Sequence, residues 1–98
     1  MLENNKVSEI AREVATANLT PKSVQNILTE PATDSEGHEA LRITIVIKPG
    51  MALKLKGDAV LDTLVDIQRK LLEAGEERFP IVGYATEDEL EKSGSPES

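Results

Sequence analysis

The chain has 98 residues, a formal net charge of −7 from 18 acidic and 11 basic side chains, no cysteine, and two aromatics, Phe79 and Tyr84. That length holds one core and leaves no room for a second independent one. The missing cysteines remove disulfides, thiolate metal sites and Cys nucleophiles together, and a negative field opposes the Lys- and Arg-driven binding of phosphate backbones.

With 39% hydrophobic and 30% charged residues the composition is that of a globular chain, and with so few aromatics its core has to be aliphatic. No apolar run approaches the roughly 18–20 residues needed to cross a bilayer. The start, Met1-Leu2-Glu3-Asn4-Asn5-Lys6, has neither the basic opening nor the apolar stretch of a secretory signal. A small domain without disulfide staples suits a reducing compartment. The expected location is cytoplasmic, with no membrane partner.

Residues 4–18 read as a helix, because Val7, Ile10, Ala11 and Val14 recur at i, i+3, i+4 and i+7. Its apolar stripe is narrow, which suggests a helix lying on the domain rather than through its centre. Asn18-Leu19-Thr20-Pro21 stops it, since the residue before a proline is pushed out of the α region.

Residues 22–33 admit two readings. Thr20 and Pro21 could open a short helix with Val24, Ile27 and Leu28 on one face. Alternatively, Ile27, Thr29 and Pro31 alternate ahead of a turn cluster, Asp34-Ser35-Glu36-Gly37. A strand over 23–31 is preferred, because the next segment is itself a strong strand that needs a neighbour. Pro31 then marks an edge or a bulge. That next segment, residues 39–48, alternates Leu41, Ile43, Ile45 and Ile47 with Arg42, Thr44 and Val46.

Lys48-Pro49-Gly50 ends the strand, and residues 51–56 form a loop or an extended stub. A second helix is predicted from Asp58 to Ala74, with Gly75 as its stop. Val60, Leu61, Leu64, Val65, Ile67, Leu71 and Leu72 cover an arc of roughly 160° on its wheel, which makes it the principal core helix. Its aliphatic stripe is expected to pack on the isoleucine row at 43, 45 and 47. Residues 79–84 read as a short last strand, and Thr86-Glu87-Asp88-Glu89 matches a capping box able to open one helical turn.

The fold class is therefore α+β, in the order α-β-β-α-β, with a three-stranded mixed sheet and two helices packed on one face. A single domain spans residues 4–91, and residues 92–98 form a disordered tail. The element order resembles a ferredoxin-like plait without its first strand, a likeness of order alone that implies no activity.

Catalytic and cofactor signatures are absent from the letters: no GxSxG, P-loop, Rossmann glycine pattern, HExxH or EF-hand spacing. His38, the one histidine, stands near Asp34, Glu36 and Glu39, but a solvated turn is the simpler reading than a metal or base site. Glu73, Glu76 and Glu77, and Glu87, Asp88, Glu89 and Glu91, read as solvated acidic faces. Gln68 falls inside the apolar arc of the second helix, where its amide needs a partner, a small pocket, an interface or a route to water. Arg42, Lys48, Lys54 and Lys56 are the basic concentration before that helix and could receive an anion or an acidic partner. Met51, Leu53 and Leu55 alternate with the basic positions as a possible apolar ridge for a partner.

No cofactor, no metal site and no enzymatic activity are expected. The function read from the letters is a non-catalytic protein-interaction or regulatory module, with self-association as one form of it. The alternative is a binding domain for a small anion or RNA through the basic segment, although the charge makes nucleic acid the poorer partner.

Overall fold

Three strands and three helices follow one another as α1 (Asn4–Asn18), β1 (Val24–Thr33), β2 (Glu39–Ile47), α2 (Gly57–Glu73), β3 (Phe79–Thr86) and α3 (Glu87–Ser93) in a computed structural model. The structure describes residues 2–19, 22–50 and 57–93, with side chains through Leu90. Each expected helix and strand is present. The ambiguous segment is strand β1, and the capping box opens not one turn but the seven-residue α3. Because α3 reaches Ser93, it enters the segment expected to be a tail; residues 94–98 lie outside the described residues.

β1 and β2 form an antiparallel hairpin that pairs Ile27 with Ile45, Thr29 with Ile43 and Thr33 with Glu39. The ladder slips between Val24 and Asn26, where a bulge bends the first strand. β3 runs parallel to β2, with Val82 beside Ile43 and Tyr84 beside Ile45, so the sheet order is β1-β2-β3. The fold is thus a mixed α+β sheet with two major helices packed against it. In a split β-α-β plait another strand separates the two parallel ones; here β2 and β3 pair directly.

Period-two alternation decides the faces of the sheet. Leu41, Ile43, Ile45 and Ile47 share a face with Ile27 and form one core with Val7, Ala11, Val14 and Ala15 of α1 and Ile67 and Leu71 of α2. The second helix therefore shares one core with the isoleucine row, but through fewer residues than the arc contains. Leu61, Val65 and Leu72 remain largely exposed. The two helices also exchange the expected rank. The narrow stripe of α1 is fully covered at Val7, Ala11 and Ala15, whereas α2 buries only Thr63, Ile67 and Leu71.

The cause is a mismatch of widths. Three strands about 4.8 Å apart offer a surface roughly 10–15 Å across, while two helices side by side need about 18–20 Å. Ala11 and Ala15 let α1 settle closely over β1 and β2. Side-chain bonds hold it there: Ser8 Oγ lies 3.1 Å from Thr29 Oγ1, and Arg12 donates to Asn26 Oδ1 at 3.2 Å. α2 is braced against α1 by Asn18 Nδ2 donating to Asp66 Oδ2 (3.1 Å) and by the Lys70–Glu13 ion pair at 3.4 Å. It consequently sits above the β3 side, and its far flank overhangs the sheet.

Candidate functional site

The hairpin turn contains His38. Gly37 takes a φ of +89°, and Asp34 organises the turn: its Oδ1 accepts the backbone N–H groups of Glu36 (2.9 Å) and His38 (2.8 Å). These donors, above all the His38 N–H, lower the Asp34 pKa. His38 Nδ1 stands 3.3 Å from Asp34 Oδ2 on an imidazole open to water. The arrangement is that of a hairpin turn with a left-handed glycine. Among the described residues, no three His, Asp or Glu side chains assemble a set that could hold a metal ion.

At the end of α2 the structure departs from the expectation of a solvated acidic face. Gly75, with a φ of +97°, closes a Schellman stop in which its N–H reaches the Leu72 carbonyl and the Glu76 N–H reaches that of Leu71. That stop turns the Glu76 side chain inward, where it is only 1% exposed. Its carboxylate accepts from Arg78 Nε (2.9 Å), Arg78 Nη2 (3.0 Å), the Arg78 backbone N–H (3.0 Å) and the Leu2 N–H (2.7 Å). The Arg78 guanidinium also donates to the Leu2 carbonyl at 3.1 Å. The guanidinium bonds hold the Glu76 pKa down to about 2, and the Glu76 carboxylate raises that of Arg78. Open recesses of about 380 and 240 Å³ flank Arg78, lined by Pro31, Thr33 and Ala40 or by Glu76 and Glu77, with Glu39 in both. Every donor of this carboxylate belongs to the fold itself, so the chemistry here is that of a structural ion pair that anchors the chain's start to the turn after α2.

The remaining surface lies around β3. Leu61 (61% exposed), Val65 (54%), Leu72 (61%) and Phe79 (55%) are apolar and open to water, whereas Ile81, paired with Arg42, lies on the sheet face turned away from α2. Gln68, Leu71, Leu72, Phe79 and Pro80 line one recess of about 70 Å³, which joins the helix flank to the strand. Gln68 is half-buried there, at the border between covered and uncovered flank. β3 is an edge of the sheet, and among the described residues no strand pairs with its outer side. Each edge strand carries a proline, Pro31 in β1 and Pro80 in β3, and β1 adds a bulge, a further device that blunts an edge.

Of the sequence-derived candidates, Arg42 and Lys48 are exposed but separated. Arg42 lies within β2 opposite Glu30 and beside Ile81, and Lys48 follows the strand's end six positions on, about 20 Å along an extended chain. Lys54 and Lys56, and the ridge of Met51, Leu53 and Leu55, lie outside the described residues. The wheel places Leu61, Val65 and Leu72 in the core arc and residues 79–84 only in a strand, so the exposed set was missed, although an interface was among the options for Gln68. A signal was present nonetheless: 61, 65, 68 and 72 follow i, i+4, i+7, i+11, a seam distinct from the 60, 63, 67, 71 row that the sheet covers.

Among the described residues, no helix is long and apolar enough to cross a membrane. No protein-family model matches the chain, and neither does any curated protein or any solved structure.

Proposed function

We propose that the chain is a non-catalytic protein-interaction module whose contact surface is the outer flank of α2 together with the β3 edge. One observation carries the reading. Three large apolar side chains, each more than half exposed, stand on one helix flank, and Phe79 at the start of β3 lines the same recess as Leu72, beside a sheet edge that no strand pairs among the described residues. Apolar area gathered in this way is an unfavourable exposure in an isolated chain, and removing it from water is worth about 25 cal/mol per Å². An open strand edge adds backbone donors and acceptors of the kind that recruit a partner chain.

A photoreactive residue placed at 65 or at 79 tests this in the native cell. The reading expects protein adducts at both positions well above those from the same group at Glu36, which is exposed on the hairpin turn far from the surface. Equal labelling at all three positions would remove the reading.

A further inference from the structure

We infer that the partner of this surface is a second copy of the same chain, with α2 lying antiparallel to its symmetry mate across a two-fold axis; the inference rests on the interaction reading above. At about 100° per residue, Leu61, Val65, Gln68 and Leu72 fall within roughly 60° of helix surface, and Asp62 and Arg69 border that strip on the side away from the core. All are placed by α2, and Asp62 and Arg69 are exposed. In an antiparallel pairing centred between residues 66 and 67, Leu61 meets Leu72 of the other copy and Val65 meets Gln68. In the same register Asp62 and Arg69 of the other copy share one border two positions, about 3 Å, off direct opposition, an offset the long Arg side chain spans, and this occurs twice, once on each side of the axis. Asp58, the other charge on that border, falls opposite Gly75 at the far helix end.

The pattern is thus complementary to itself in both shape of burial and sign of charge, which is what a two-fold interface requires. A parallel two-fold pairing would instead set Gln68 beside Gln68 and place Asp62 and Arg69 of the two copies on opposite borders of the seam, with no pair between them. Arg69 bonds Asp66 of its own helix at 3.1 Å yet stays 60% exposed, so it reaches the neighbouring copy without leaving a buried position. The half-buried Gln68 has a place here too: at the centre of the seam its amide is the polar group that fixes register, as a single polar residue does in helical pairs.

The test is the association constant of full-length variants by sedimentation equilibrium at about 150 mM salt. Wild type is expected to dimerise reversibly, and Val65→Glu to be monomeric with the unfolding midpoint that wild type shows when dilute enough to be monomeric. Asp62→Arg and Arg69→Asp each set two like-charge pairs face to face and are expected to weaken self-association by about tenfold. The double variant D62R/R69D keeps the wild-type net charge and is expected to recover dimerisation. An equimolar mixture of the two single variants is expected to form the mixed dimer in preference to either homodimer.

A wild type that stays monomeric at millimolar concentration overturns the second-copy inference. The module reading then stands or falls separately on whether the adducts at position 65 contain a different protein. A dimer in which neither the double variant nor the mixture recovers what the single variants lose overturns the antiparallel arrangement.

Discussion

Glu76 ties the segment ahead of α1 to the turn between α2 and β3, because its carboxylate receives both the Leu2 N–H and three donors of Arg78. Removing one partner of a buried pair leaves the other charge uncompensated, so Glu76→Gln is expected to lower stability by about 2–4 kcal/mol in urea unfolding at neutral pH. The same pair fixes a pH dependence. The carboxyl is held to about 2 in the folded chain against an ordinary value of 4.5. Above 4.5 it is ionised in both states, and its contribution, on the order of 2–3 kcal/mol, is complete. As pH falls from 4.5 towards 2 the unfolded chain takes up the proton first, and the contribution is lost across that window. The stability gap between wild type and Glu76→Gln should therefore close between about pH 5 and pH 2; a gap of constant size would contradict the geometry. Nothing in the composition separates Glu76 from Glu73 and Glu77. Its burial depends on Gly75 taking a positive φ and on Arg78 following two residues later, so Gly75-Glu76-Glu77-Arg78 was the local signal available.

At the level of elements, α2 has two apolar sides that the letters cannot tell apart. Ile67 and Leu71 face the isoleucine row, whereas Leu61, Val65 and Leu72 overhang the sheet. Ile67→Ala is expected to cost about 3 kcal/mol through lost burial and a cavity. Val65→Ala, two positions earlier, should leave the unfolding free energy of dilute protein within about 0.5 kcal/mol, since little packing is lost and alanine is the better helix former. Comparable losses at both positions would mean that the flank is not open. The helices and strands themselves were legible almost to their ends, because periods of 3.6 and 2 are properties of local sequence. How much of each apolar arc finds cover was not, since it depends on the width of a three-stranded sheet and on how closely Ala11 and Ala15 let α1 approach. For the same reason the narrower stripe became the better buried helix, and the site hidden in the wide arc was read as core.

At the scale of the whole molecule, two contributions to self-association respond to salt with opposite sign, and their sizes decide the outcome. Each copy carries a formal charge of −7. With centres roughly 30 Å apart in water, two such bodies repel by about 2–3 kcal/mol at 10 mM salt and by well under 1 kcal/mol at 150 mM, where the screening length shrinks to about 8 Å. The two Asp62–Arg69 pairs at the exposed border contribute about 1 kcal/mol or less together, and salt weakens them over the same range. Repulsion therefore changes by more than the pairs do, while the apolar strip between the helices is insensitive to ionic strength in this range. Self-association is expected to tighten by at least about tenfold between about 10 and 150 mM salt in sedimentation equilibrium. Acidification from neutral pH towards the sequence pI of about 4.7 should act in the same direction by removing net charge. An affinity that fell steadily with added salt would mean that charge, not the exposed leucines and valine of α2, holds the copies together, and would move the contact to another part of the surface.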